Sequence, residues 1–125
     1  MFTHVMIGAN DVEKARQFYD AVLGALGIGP GIDLGGRFYY QGEPAGFVVG
    51  KPINGEPACH ANGGTIGFIA SNEAAVEAFH QAGLDNGGAT CEEPPGLRDR
   101  GDFKAYAAYL RDPDGNKICA IYRMA

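Results

Sequence analysis

Histidine and cysteine are the side chains in this sequence best suited to metal binding or nucleophilic chemistry, and they are widely spaced. His4 lies in an apolar stretch near the start, and Cys119 lies within "DPDGNKICAIY" near the end. Cys59 and His60 are neighbours in "GEPACHANGG", where an extended backbone would point them in opposite directions. Because a tightly held divalent metal needs at least three good protein ligands, any site would have to be assembled from distant segments.

Two segments with helical spacing follow strand-like segments and would position these side chains. Apolar residues recur at three- and four-residue steps in "DVEKARQFYDAVLGALG" and again in "NEAAVEAFHQAG". This spacing predicts two amphipathic helices. Asn10 is the predicted N-cap of the first helix, and Gly27 is its predicted end. Strand-like pieces follow each helix, and the last of them form a hairpin in "KAYAAYLRDPDGNKICAIY".

The order of a strand, a helix and about three strands therefore occurs twice. Phe18 and Phe79 occupy equivalent places in the two helices, and the same offset relates His4 to Thr65. Chance similarity of two α+β stretches is the alternative explanation. The segment "KPINGEPACHANGG" has the Gly, Pro and Asn content of a module boundary.

We therefore predict one α+β domain built from two βαβββ modules. The domain would span residues 1–125, with a first module at 1–51, a linker at about 52–62 and a second module at 63–125.

Composition and charge limit the partners of the chain. A net charge of -5 argues against nucleic acid, because phosphate binding needs a surplus of Lys and Arg. No apolar run approaches the roughly 20 residues that cross a bilayer, so we expect no membrane partner. The start of the chain lacks a basic leader, so we expect no signal peptide. The 3 cysteines are widely spaced and fit free thiols in a reducing cytoplasm.

The segments "NDVEKARQFYDAVLGALG" and "YLRDPDGNKICAIY" resemble those of the glyoxalase / bleomycin-resistance / extradiol dioxygenase superfamily, also called the vicinal oxygen chelate superfamily. The resemblance covers the whole chain. It implies a glyoxalase-like fold, in which the sheets of two βαβββ modules curl into an incomplete barrel around a small-molecule cavity. It also implies a homodimer. In metal-using members, inward-facing residues on the first and last strands of the modules hold a metal that acts as a Lewis acid.

Most of those positions lack a metal ligand here. The matching set is His4, Thr65, a residue between Val48 and Gly50, and Cys119. A neutral hydroxyl is a poor ligand and an aliphatic side chain supplies no donor, which leaves one imidazole and one thiol. The resemblance implies a Glu among the ligands of metal-using members, so Cys119 looks like the position of a lost carboxylate. We expect no cofactor; if a divalent Fe, Ni, Mn or Zn ion is bound, His4 and Cys119 would hold it.

We expect a small-molecule ligand to meet polar and aromatic side chains on the cavity wall. Arg98 could bind a substrate carboxylate, although a charged loop residue is more often simply solvated. Period-two alternation does not assign the strand aromatics to a face without a register. The predicted ligand-binding residues are His4, Thr65, Cys119, Tyr40, Tyr106 and Arg98.

The resemblance leaves three functions open, because one fold supports many chemistries. We favour a small-molecule-binding protein of the bleomycin-resistance type with a degenerate metal site. The second possible function is that of a metal-dependent lyase or dioxygenase, in which His4, Cys119 and either Cys59 or His60 would be irregular ligands of the metal. The third is a metal-free enzyme that uses a tyrosine or histidine as acid–base catalyst. Whether the protein is an enzyme is therefore open at this stage.

Overall fold

The structure is a computed structural model that describes residues 1–124. Within that range a strand, a helix and three strands occur in order, and then the same order is repeated. This confirms the predicted α+β class with two βαβββ units. The elements are β1 His4–Gly8, α1 Val12–Ala25, β2 Ile32–Asp33, β3 Arg37–Tyr40, β4 Gly46–Gly50, β5 Ile66–Ile69, α2 Glu73–Asp85, β6 Ala89–Asp99, β7 Lys104–Arg111 and β8 Lys117–Met124.

Each half of the chain forms its own 4-stranded mixed sheet, in the orders β1-β4-β3-β2 and β5-β8-β7-β6. In each sheet the first strand of the unit pairs in parallel with the last, and the remaining pairs are antiparallel. The strand that opens each unit therefore lies beside the strand that ends it. Residues of these two strands share a face, which is where sequence-distant side chains meet.

The register demonstrates the internal repeat residue by residue. Met6 of β1 pairs with Val48 of β4, and Gly67 of β5 pairs with Cys119 of β8. The equivalent strands β1 and β5 thus differ by one constant offset, which also relates His4 to Thr65 as the sequence predicts. Cys119 is accordingly the counterpart of Val48, which lies at one end of the range that the sequence allowed.

The helices cover one face of each sheet and pack against each other. Their buried side chains, among them Phe18, Tyr19 and Phe79, form one core with residues of both sheets. The opposite face of each sheet carries no helix. Over residues 1–124, neither helix combines the length and apolarity that a bilayer crossing needs.

The start of α1 differs from the prediction. Asp11, not Asn10, is the N-cap, and its carboxylate accepts a hydrogen bond from the Lys14 amide at 3.0 Å. Asn10 instead holds the segment after β4, because its side-chain oxygen accepts from the Ala58 amide at 2.7 Å. The helix ends at Ala25, and Gly27 follows with a φ of 88°.

A buried polar network joins the two halves. The Tyr19 hydroxyl on α1 donates to the Asp112 carboxylate at 2.6 Å, and the Asn116 side chain donates to the same carboxylate at 2.9 Å. Asn116 also donates to the carbonyl of Gly8, the last residue of β1, at 3.2 Å. The "DPDGN" turn therefore fastens the second unit to the helix and first strand of the first.

Candidate functional site

The uncovered face of the first sheet forms a cavity of about 290 Å³. β1, β3 and β4 supply most of its wall, because alternate residues of these strands point away from the helix. Its polar side chains stand among apolar ones, which is the usual composition of a small-molecule site. The lining residues are Thr3, His4, Met6, Leu34, Arg37, Tyr39 and Val48.

A second cavity of about 520 Å³ adjoins the first along the strand ends. Met6 and Arg37 line both cavities. The segment after β4 forms the far wall, where Asn54 and the exposed Cys59 lie among prolines and alanine. The two cavities together make a groove along the first sheet, which we call the β1–β4 groove and define by the lining residues of both.

His4 is exposed at the start of β1. Its Nδ1 atom lies 3.0 Å from the Thr3 hydroxyl oxygen. When that hydroxyl donates to Nδ1, the ring proton is on Nε2, which becomes a hydrogen-bond donor. Gly46 is the register partner of His4, and a Cβ atom at Gly46 would overlap the Tyr39 ring. The glycine therefore leaves the space that the Tyr39 ring occupies beside His4.

Alternation along β3 separates two adjacent tyrosines. Tyr39 lines the groove, whereas Tyr40, a predicted ligand-binding residue, is buried on the helix side. The Tyr40 hydroxyl donates to the Asp20 carboxylate of α1 at 2.8 Å. Burial, followed by this contact with Asp20, raises the pKa of Tyr40 well above its usual value. The structure thus gives Tyr40 a place in the core and puts Tyr39 in the groove.

The uncovered face of the second sheet carries Cys119 in register with Tyr109 and Cys91 on its neighbouring strands. Two cations lie over the Tyr109 ring: the Arg98 guanidinium carbon is 5.8 Å from the ring centroid, and the Lys117 ammonium is 5.3 Å from it. Lys117 also forms an ion pair with Glu92. This face is therefore aromatic and locally cationic.

Arg98 is fixed by its own strand. Its guanidinium donates to the backbone carbonyls of Glu93 at 3.0 Å, Pro94 at 3.1 Å and Gly96 at 3.1 Å. The sequence placed this residue in a loop, but it is part of β6, where it pairs with Ala105 of β7 just beyond the stretch in which the register shifts. These bonds occupy much of its donor capacity.

Cys119 is a protonated thiol in this environment. It is 4% exposed, and burial, with a smaller contribution from Glu92, raises the pKa of Cys119 to about 11. Because the thiolate is both the nucleophile and the metal ligand, the thiol is poorly prepared for either role near neutral pH.

The two remaining predicted ligand-binding residues, Tyr106 and Thr65, lie outside the groove. Tyr106 faces α2, where its hydroxyl donates to Glu77 at 2.6 Å, and this hydrogen bond raises the pKa of Tyr106. Thr65 is exposed immediately before β5. It lies two residues before Gly67, so alternation puts it on the same face as Cys119.

The predicted residues are therefore distributed over three places. His4 lies in the β1–β4 groove; Thr65, Cys119 and Arg98 belong to the uncovered side of the second sheet; Tyr40 and Tyr106 face the helices. Within residues 1–124, no three His, Cys, Asp or Glu side chains lie close enough together to hold a metal ion.

Sequence reasoning missed two groove residues, Arg37 and Tyr39. They are two positions apart on β3, so they share a face. The register of β3 with β4 fixes that face, since Tyr39 pairs with Val48 and Val48 pairs with Met6. The "RFYY" run was visible in the sequence, but only the pairing selects Arg37 and Tyr39 over Phe38 and Tyr40.

Comparison with known proteins gives one family and many structures with the same fold. The model of the Glyoxalase/Bleomycin resistance protein/Dioxygenase superfamily matches residues 1–120. A crystal structure of a glyoxalase/bleomycin resistance protein from Albidiferax ferrireducens T118 is 57% identical, with a TM-score of 0.95, and the match covers 98% of this chain and 99% of that one. No curated protein matches the chain.

Two more distant structures share the fold alone. A glyoxalase/bleomycin resistance protein/dioxygenase family enzyme from Burkholderia phytofirmans PsJN is 15% identical with a TM-score of 0.72, over 98% of each chain. A lactoylglutathione lyase from Agrobacterium tumefaciens is 20% identical with a TM-score of 0.65, over 98% of this chain and 92% of that one.

Proposed function

This chain belongs to the Glyoxalase/Bleomycin resistance protein/Dioxygenase superfamily, and we propose that it binds a small organic molecule in the β1–β4 groove without a tightly held metal. The observation that carries the proposal is the groove itself, in which His4, Arg37 and Tyr39 stand among apolar residues on a helix-free sheet face. Apolar walls would supply most of the binding free energy, and the few polar groups would orient the ligand.

The chemistry of the donor set argues against a resident metal. The four positions related by the internal repeat carry His4, Val48, Thr65 and Cys119, which are an imidazole, an alkyl group, a hydroxyl and a protonated thiol. A divalent ion bound there would lack the carboxylate and the second imidazole that commonly anchor such sites. These residues do not fit a divalent metal.

We further propose that the protein works as a homodimer in which a second copy covers the uncovered sheet faces. The support is the apolar surface on those faces: Met6 is 38% exposed on the first sheet, and Ile69 is 82% exposed on the second. A second copy packed on these faces would bury both side chains. The three free thiols agree with a cytoplasmic location, which is part of the same proposal.

The alternative is a metal-dependent lyase or dioxygenase that uses His4 and Cys119. His4 gives it some support, because the imidazole is exposed at the groove. Under this alternative a second copy would bring the two residues together, since His4 and Cys119 belong to different sheets.

A metal analysis separates the two functions. Protein purified without chelators is expected to contain far less than one Fe, Ni, Mn or Zn per chain, and its melting temperature should not respond to chelator or to added metal. Near-stoichiometric metal would overturn the binding-only proposal.

A paired variant tests the lost site directly. T65H/C119E would place an imidazole and a carboxylate on one face of the second sheet, and we expect it to bind Zn²⁺ or Ni²⁺ where the parent does not. Adding H4A to this variant is the matched control, and it should abolish the gain because the third ligand would be His4 of a second copy in the proposed dimer. No gain in T65H/C119E would show that the metal positions have been wrongly assigned.

A further inference from the structure

We infer that the ligand of the β1–β4 groove is an anion, a small carboxylate or similar acid with an apolar body, whose charged group meets Arg37. The inference rests on the proposed function, because it names the ligand class of the same groove. Its starting point is the charge of the walls: the lining residues of both cavities include one arginine and one histidine but no Asp or Glu. The chain as a whole has 15 acidic residues and a net charge of -5.

Arg37 differs from most other arginines of the described chain in what its guanidinium contacts. Arg16 is ion-paired with Glu13 and Asp20, and Arg98 and Arg111 donate to backbone carbonyls. Among residues 1–124, Arg37 forms no ion pair and no side-chain hydrogen bond. A guanidinium offers five N–H donors in a planar fork that matches a carboxylate. Arg37 is exposed and lines both cavities, so its donors are available to a ligand in a groove whose lining includes no acidic residue.

The position of Arg37 relative to apolar surface defines the rest of the ligand. Arg37 lines both cavities, and so does Met6. The Val48 and Leu34 side chains lie in the smaller cavity, and Tyr39 presents an aromatic ring there. A flat apolar body would bury these surfaces while its acid group reached the guanidinium. An ion lacking an apolar body would leave them exposed to water.

His4 adds a second donor at the other end of the smaller cavity. In the tautomer in which the Thr3 hydroxyl donates to Nδ1, Nε2 carries the proton and can donate to a ligand oxygen. A charge-assisted bond to Arg37 is the stronger of the two interactions, because ionised partners bond more strongly than neutral ones. Arg37 therefore sets the preference for charge, and His4 contributes to orientation.

The test uses two probes of nearly the same shape, 2-naphthoate and its neutral amide, 2-naphthamide. Their dissociation constants are measured by titration of the ¹⁵N-labelled protein, following the amide signals of Met6, Arg37 and Tyr39. The parent should bind the acid roughly tenfold more tightly than the amide, the ratio that one charge-assisted hydrogen bond supplies. In R37Q the ratio should fall to about one, and in R37K, which keeps the charge, much of it should remain.

R100Q is the matched control, because it removes the same charge from an exposed residue outside the groove. It should keep the parent's ratio. Equal affinity for both probes in the parent, an undiminished ratio in R37Q, or the same loss in R100Q would each overturn the anionic ligand while the groove remains a binding site. If neither probe shifts these amide signals, the proposed binding function and this inference both fail.

Discussion

Replacing Tyr19 by phenylalanine should destabilise the protein more than the same change at two other tyrosines. The Tyr19, Tyr40 and Tyr106 hydroxyls each donate to a carboxylate, at 2.6, 2.8 and 2.6 Å respectively. The bond lengths are nearly the same, but the burial of the acceptors differs. The series therefore separates the effect of burial from the effect of bond geometry.

The expected magnitudes follow from what remains around each carboxylate. Asp112 is 4% exposed, so the carboxylate oxygen that loses the Tyr19 hydroxyl keeps one donor from Asn116 and gains little water. Y19F should cost about 2 kcal/mol, the usual range for a hydrogen bond to a buried charge. Asp20 keeps Arg16 and is partly exposed, so Y40F should cost about 1 kcal/mol. Glu77 is exposed, and Y106F should leave stability unchanged.

The phenylalanine at position 19 preserves the packing of the ring. The Tyr19 ring lies with its centroid 4.9 Å from that of Phe18 and 4.9 Å from that of Phe47, and both contacts survive loss of the hydroxyl. The space vacated by one hydroxyl is too small to admit a water molecule. The measured loss should therefore report the hydrogen bond rather than a cavity.

Equilibrium urea unfolding at one fixed protein concentration measures all three variants. The concentration must be the same throughout, because dimerisation would shift the apparent stability. The free energy of unfolding should be highest for Y106F, intermediate for Y40F and lowest for Y19F. The m values should be unchanged. If Y106F loses as much stability as Y19F, or if Y19F is neutral, burial does not determine the strength of these bonds.

Two further predictions concern ionisation. At pH 8 only about one Cys119 in a thousand is a thiolate when its pKa is about 11, so iodoacetamide should alkylate exposed Cys59 at least about a hundredfold faster. Mass spectrometry of the labelled peptides checks this, and equal rates would contradict the burial of Cys119. Burial and Asp112 raise the pKa of Tyr19, so its contribution to stability is complete below pH 10 and is lost as the pH rises further. The free energy of unfolding should thus fall above about pH 10, less steeply in Y19F than in the parent, and identical slopes would refute the assignment.

The sequence predicted what depends on periodicity and local chemistry. The two helices, the final hairpin and the repeated strand–helix–strand order follow from apolar spacing, from Gly and Pro turns and from one offset along the chain. The same offset related His4 to Thr65, and the structure supports that relation through the paired registers of Met6 and Gly67. Even so, the N-cap of α1 is Asp11 and not the predicted Asn10, because Asn10 is held by hydrogen bonds to Ala58.

Only the tertiary structure decided which strand residues face the groove. Tyr39 and Tyr40 are equally plausible in the sequence, and a one-residue change of register would exchange their faces. The pairing of β3 with β4 directs Arg37 and Tyr39 to the groove and Tyr40 to Asp20. The groove also depends on which sheet faces the helices leave uncovered, and that is decided by packing between distant segments. The local sequence shows that alternate residues of a strand share a face, but it does not show which of the two faces is buried. The pairing with neighbouring strands decides that, and with it which side chains contact a ligand.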